Sequence, residues 1–238
     1  MAAMTSFRTD PVPCGDAGEM DLHVWTPDTG GSAAILLIQE IFGVGPYIRS
    51  VAERLAEAGY VVGAPDVFWR FHRNWEADHS EAGLGASIDK VQQLDFPRAV
   101  GDLLAAVDHL GSLDGVESKP GVLGFCLGGT LAWAVAVNGD PSVCVSYYGS
   151  GVPSMIDMID GVTCPTLFHF GNADAYLPNE GVDAVAAKIA GREGFVVNVE
   201  NAGHAFDNHE ADMFYNEAAA NAAWAKTMAF LKLYLSPT

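Results

Sequence analysis

The stretch Val122-Leu123-Gly124-Phe125-Cys126-Leu127-Gly128-Gly129 constrains the fold more than any other part of the chain. An apolar strand runs into a glycine-framed turn and then a helix, the pattern G-x-C-x-G-G of a nucleophile elbow. Such a turn holds its central residue in a strained backbone conformation. Side chains flanking it would clash, which accounts for Gly124 and Gly128. The following helix points its N-terminus at the Cys126 thiol and favours the thiolate. Read alone, the stretch also fits a buried structural cysteine in a βα turn.

A nucleophile on an elbow needs a base, and the base needs a carboxylate to orient it. Thr166-Leu167-Phe168-His169-Phe170 reads as an apolar strand leading into Gly171-Asn172-Ala173-Asp174. Phe195-Val196-Val197-Asn198-Val199 is a further strand, leading into Asn201-Ala202-Gly203-His204-Ala205-Phe206. Asp174 and His204 thus follow successive strands in the order nucleophile, acid, base, as in α/β-hydrolases. The expected triad is Cys126, Asp174 and His204.

The rest of the chain agrees with an α/β fold. Alternation over residues 19–26 suggests an antiparallel edge strand. Ala33 to Ile38 is a continuous apolar run, as in a central strand buried on both faces. Pro46 opens a helix with a face of Ile48, Val51 and Leu55 that stops at Gly59, and Tyr60 to Ala64 is a strand. Helices are predicted over Asp95 to Leu110, Leu127 to Val137, Gly181 to Ala190 and Asn216 to Leu235, with a strand from Val143 to Tyr148. The alternation predicts one domain over residues 1–238, with a mainly parallel central sheet and helices on both faces. Residues 66–85 break the pattern. The loop carries Phe68, Trp69, Arg70, Phe71, His72, Arg73, Trp75 and His79 with little periodicity, and an irregular aromatic loop of this kind is expected over an active site.

Thirty acidic against twelve basic residues give a net charge of −18, which excludes nucleic acid and anionic membrane surfaces as partners. Met1 to Ser6 shows no leader pattern, and no apolar run is long enough to span a membrane. Cys14, Cys126, Cys144 and Cys164 have no metal-ligand spacing, and a reducing cytoplasm is the expected compartment. Asp207 and His209 flank His204 without a convincing third ligand, so no metal is expected.

With these residues placed, the chain resembles the dienelactone hydrolase family of α/β-hydrolases over nearly its whole length. The motifs that carry the resemblance are Gln39-Glu40-Ile41-Phe42-Gly43, Gly124-Phe125-Cys126-Leu127-Gly128-Gly129 and the Asp174 and His204 loops. The resemblance implies that Glu40 holds the resting thiol in a poorly nucleophilic state until substrate displaces it. It further implies an oxyanion hole from the backbone N–H groups of Ile41 and Leu127. The implied substrate is a small cyclic enol lactone bearing a carboxylate, fixed in the family by two arginines. The matching positions hold Leu84 and Asn208 here. Arg70 or Arg73 would have to replace them, with Arg70 favoured by its Phe68-Trp69-Arg70 setting, or the substrate is neutral. Phe42, Trp69, Arg70, Tyr147 and Tyr176 are the expected substrate-binding residues.

The sequence therefore predicts a cofactor-free hydrolase of small esters or lactones, monomeric or homodimeric, acting through a thioester acyl-enzyme. A broad carboxylesterase or thioesterase is the alternative, and a non-catalytic ligand-binding scaffold is a further one.

Overall fold

The computed structural model describes residues 5–15, 18–28 and 30–237. The absence of a leader, expected from Met1 to Ser6, rests largely on Met1–Met4, which lie outside the described residues. The chain forms two compact units, one running to Gly121 and including the C-terminal residues from Ser236, the other Val122–Leu235. Among the described residues no helix is long and apolar enough to cross a membrane.

The first unit contains β1 (Thr5–Cys14), β2 (Gly18–Pro27), β3 (Ala34–Ile38), α1 (Pro46–Glu57), β4 (Val61–Pro65), α2 (Glu81–Val91) and α3 (Phe96–Gly111). Its strand order is β1-β2-β4-β3. Every residue of β3 is buried, and each Leu or Ile there contributes roughly 1.5–3 kcal/mol by leaving water. Helix α1 buries Ile48, Val51 and Leu55 as its period requires, and Gly59 at φ +98° ends the turn after it.

Two expectations for this unit are corrected. The alternating strand β2 is not an edge, because it pairs antiparallel with β1 on one side and β4 on the other. The outer strand is β1, which sequence reading passed over. Its Pro11 and Pro13 lack the N–H a central strand needs, but an outer strand tolerates them. Residues 66–85 are also not irregular throughout, since α2 starts at Glu81. Ser80 caps it by accepting the Gly83 N–H at 3.1 Å. Gly83 and Gly85 each lower helix propensity by about 1 kcal/mol, which hid the helix from a pattern search.

The aromatic loop before α2 is built around buried carboxylates. Asp66, 2% exposed, accepts the backbone N–H groups of Phe68 (3.2 Å) and Asn74 (2.6 Å). Gln39 accepts the Val67 N–H at 3.1 Å. Asp102 on α3 accepts from the Trp69 indole at 2.9 Å and from both Nε and Nη2 of Arg70 at 2.8 Å. Arg70 also lies 4.4 Å from the Trp69 ring centroid, a cation–π distance. Arg73 reaches the Glu19 carbonyl at 2.6 Å and Asp21 at 3.5 Å. Arg70, the residue expected to read substrate charge, has its fork held at two points by Asp102, which ties the loop to α3.

The second unit contains β5 (Gly121–Phe125), α4 (Leu127–Asn138), β6 (Cys144–Tyr147), α5 (Val152–Met155), a 3-10 turn (Ile156–Gly161), β7 (Thr166–Gly171), α6 (Asn179–Ile189), β8 (Phe195–Glu200) and α7 (Glu217–Tyr234). Strands β5, β6, β7 and β8 are parallel neighbours in that order. Parallel pairs need crossovers, and helices α4 to α6 supply them. Helix α4 is buried from Gly128 to Ala136, consistent with its apolar composition all round. In register, Phe125 faces Tyr147, Tyr147 faces His169, and His169 faces Asn198. This row lies one residue before the elbow.

The Asp102 anchor yields a test. Asp102→Ala leaves the Arg70 guanidinium and the Trp69 indole without their acceptor, and stability should fall by roughly 2–4 kcal/mol. Urea unfolding measures the loss; an unchanged midpoint would show that the anchor does not hold the loop.

Candidate active site

Strand β5 delivers its chain into the elbow at the carboxyl edge of the parallel strands, where open α/β sheets place their sites. Cys126 adopts φ +55°, ψ −114°, a conformation that costs a non-glycine residue on the order of 1–3 kcal/mol. Its N–H donates to the Tyr147 carbonyl at 3.0 Å, and its own carbonyl accepts the Thr130 N–H at 3.1 Å. A Cβ on Gly124 would lie 2.0 Å from the Gly128 carbonyl oxygen, so only glycine fits there. Gly129 is equally constrained, because a Cβ would meet the Tyr147 carbonyl at 2.4 Å.

Asp174 and His204 lie on adjacent loops after β7 and β8. The Ala173 N–H donates to the Ala202 carbonyl at 3.0 Å and ties the two together. Asp174, 7% exposed, accepts the Tyr176 N–H at 2.8 Å through Oδ1. Its Oδ2 stands 2.7 Å from His204 Nδ1, and His204 Nε2 stands 3.1 Å from Cys126 Sγ. A carboxylate can only accept, so Nδ1 carries a proton and Nε2 is directed at the thiol.

Burial opposes charge on His204, but hydrogen bonds to Asp174 and Cys126, with their negative charge, outweigh it and carry the imidazole up to about 10. The other three cysteines are reduced and buried. Burial, with the charge of Asp102, pushes Cys14 up to about 12; burial raises Cys164 to about 11 and Cys144 well above the ordinary thiol range.

Two aromatic rings meet His204. Tyr176, 55% exposed, makes an edge contact at 4.9 Å between centroids. Tyr148, fully buried, lies at 5.2 Å. Sequence reading named Tyr176 and missed Tyr148. The available signal was its place directly after β6, where the backbone turns to φ +37°. Tyr147 was expected in the pocket, and this is corrected: it is fully buried, and its hydroxyl lies 2.6 Å from Thr227 Oγ1.

In the first unit, Glu40 follows β3 and is 2% exposed. Gly43, at φ +85°, turns the chain after it, and a Cβ there would collide with the Trp75 carbonyl at 1.7 Å. Phe42 is buried against His79, with centroids 4.3 Å apart. Ile41 and Leu127 are half-buried. Leu84 is half-buried on α2. Asn208 is buried and accepts the Glu210 N–H at 3.0 Å. His209 packs near Tyr215 and 3.7 Å from Glu210.

Comparison with known proteins places the chain in a family. The model of the dienelactone hydrolase family matches residues 20–235. A carboxymethylenebutenolidase of Rhodococcus opacus is 34% identical, covering 96% of this chain and 88% of its own. Carboxymethylenebutenolidase 1 of Cupriavidus pinatubonensis is 28% identical, covering 93% and 94%. Among solved structures, a dienelactone hydrolase-like promiscuous phosphotriesterase from metagenomic libraries superposes with a TM-score of 0.82 at 22% identity, covering 97% of this chain and 98% of its own. An esterase of Pyrococcus furiosus gives 0.69 at 17% identity, covering 97% and 92%. The chain belongs to the dienelactone hydrolase family and is a carboxylic-ester hydrolase of the dienelactone hydrolase type with an α/β-hydrolase fold.

Proposed function

We propose that this protein hydrolyses a small lactone or ester by covalent catalysis on Cys126. The observation that carries the reading is the line from Asp174 through His204 to Cys126, at 2.7 and 3.1 Å. The thiolate attacks the carbonyl carbon, and the tetrahedral oxyanion is held by the N–H groups of Leu127 and Ile41. Collapse expels the alkoxide or enolate, which takes a proton from the His204 imidazolium, and leaves a thioester. Neutral His204 then draws a proton from water, hydroxide adds to the thioester, and the thiolate departs as the acid is released. Asp174 keeps the ring in the required tautomer throughout. Each oxyanion donor is worth on the order of 3 kcal/mol. Glu40 and Ile41 take their roles from the Gln39–Gly43 motif.

The family match over residues 20–235 supports reading the chain as one catalytic domain. The chemistry needs no cofactor. A reducing cytoplasm suits a free catalytic thiol beside three further reduced cysteines, and the protein acts as a monomer or homodimer. A second reading, hydrolysis of neutral esters, is supported by the pairing of Arg70 with Asp102. The family's two arginine positions are Leu84 and Asn208, and Arg70 is held by Asp102.

A turnover panel of an anionic dienelactone, a neutral lactone and p-nitrophenyl acetate decides between the readings by kcat/KM. Cys126→Ala should abolish turnover of all three, and intact-mass spectra of the wild type with a slow ester should show an acyl adduct on Cys126. An adduct on a serine, or an active alanine variant, would remove the thiol mechanism.

The charge of His204 gives the pH test. Its proton is held more tightly in the folded chain than the ordinary value of about 6.5 allows. The histidine's contribution to stability is thus complete below about 6.5 and is lost as pH rises through about 10. Nitrogen NMR should find His204 as imidazolium at pH 7.5, and Asp174→Asn should lower kcat by about 10³–10⁴-fold. A neutral ring at pH 7.5 contradicts the ion pair.

Glu40→Gln addresses the resting state. A neighbouring carboxylate disfavours the thiolate, so the variant should alkylate faster with iodoacetamide yet turn over its true substrate more slowly. Unchanged alkylation would leave Glu40 a structural residue.

A further inference from the structure

Directly behind the elbow, the registered row Phe125, Tyr147, His169, Asn198 carries a chain of buried polar contacts that the proposed chemistry does not use. Its outer end is the ion pair of Lys226 on α7 with Glu200 on β8, at 3.0 Å. The Lys226 ammonium also donates to Asn198 Oδ1, and the Asn198 amide donates to Glu200 Oε1 at 2.8 Å. A cation on the oxygen and a carboxylate on the nitrogen fix which way this amide faces. Its nitrogen therefore also donates to His169 Nδ1, at 2.9 Å. With Nδ1 accepting, the neutral ring carries its proton on Nε2 and donates it to Thr227 Oγ1 at 2.9 Å. Thr227 in turn meets the Tyr147 hydroxyl at 2.6 Å.

The row holds two parts of the reactive centre. The Tyr147 ring packs tilted against His169 at 4.3 Å and against Phe125 at 4.6 Å, while the Tyr147 carbonyl accepts the Cys126 N–H. The His169 carbonyl accepts the Tyr148 N–H at 2.7 Å, and the Tyr148 ring packs on His204. We propose that His169, locked as the Nε2–H tautomer by Asn198, is a positioning residue for the elbow backbone at Cys126 and for the ring wall of His204. The proposal rests on the reading of Cys126 and His204 as nucleophile and base.

The protonation state agrees with the geometry. Burial, with the nearby Lys226 charge, holds His169 down to about 3, so it is neutral wherever the enzyme works. Among the described residues, the ionisable groups around the ring are Tyr147 from β6, Glu200 from β8 and Lys226 from α7. None of them offers a carboxylate to a ring nitrogen, because the Asn198 amide stands between His169 and Glu200.

Asn198→Asp tests this by replacing the donor at Nδ1 with an acceptor. The ring must then carry a proton on Nδ1, either by changing tautomer or by becoming imidazolium. Nitrogen NMR of the wild type should show the neutral Nε2–H form of His169. In the variant it should show Nδ1 protonated, with kcat down about ten- to a hundredfold, a new limb in the pH profile of kcat, and KM within about twofold of wild type. Lys226→Met, on the surface, releases the amide and should give a smaller change of the same kind, so the test stands even where Asn198→Asp does not fold. His169→Gln, which can still donate to Thr227, should recover most of the kcat lost in His169→Phe. An Nδ1–H tautomer in the wild type, or a wild-type kcat profile in both Asn198→Asp and Lys226→Met, overturns the proposal. Cys126→Ala separates the two ideas: if it stays active the nucleophile is wrong, whereas if it is dead and the row variants are normal only the positioning role fails.

Discussion

One backbone hydrogen bond, from the Cys126 N–H to the Tyr147 carbonyl, carries the arrangement of the reactive centre. It extends the parallel β5–β6 ladder one residue past the strand and pins the point at which the chain must turn into α4. A residue at φ +55° relaxes unless its surroundings hold it. Here the ladder holds it from one side and the close approach of Gly124 to the Gly128 carbonyl from the other. The thiol is thereby presented at the start of a 12-residue helix.

Two histidines in the same unit show how partners set protonation. His204 and His169 are both buried, and burial alone would neutralise both. His204 faces a carboxylate at 2.7 Å and a thiol at 3.1 Å and is carried up to about 10. His169 faces an amide and a hydroxyl, each at 2.9 Å, and is held down to about 3. Neither offers a compensating charge, so desolvation decides. A carboxylate against one ring nitrogen separates a histidine that holds its proton from one that stays neutral.

The elbow, its glycines and the order of Cys126, Asp174 and His204 were legible in the sequence because each follows from a local rule. A sharp turn excludes side chains, and parallel strands place their loops on one edge. The family resemblance was legible for the same reason, since Gln39–Gly43 and Gly124–Gly129 are contiguous. What escaped depends on partners distant in sequence. Asp102 pairs with Arg70 across 32 residues, a contact that no local pattern signals. Tyr147 and Tyr148 are adjacent, yet the first ends the strand with its hydroxyl on Thr227, whereas the second turns out of it at φ +37° and packs on His204. Prolines hid β1 and glycines hid α2, because propensity was read without the outer position or the Ser80 cap that offsets it.

The fate of Arg70 bears on substrate charge through simple electrostatics. The chain carries 18 more acidic than basic side chains, so an anionic substrate approaches against a repulsive mean field. Local cations must then do more than they would on a neutral enzyme. An unpaired carboxylate in a closed site costs several kcal/mol. Releasing Arg70 to meet it would leave Asp102, 6% exposed, without its cationic partner. The charged hydrogen bonds lost at Asp102, roughly 1.5–3 kcal/mol each, would cancel much of what the arginine gained on the substrate. An arginine so held discriminates poorly between an anionic and a neutral lactone.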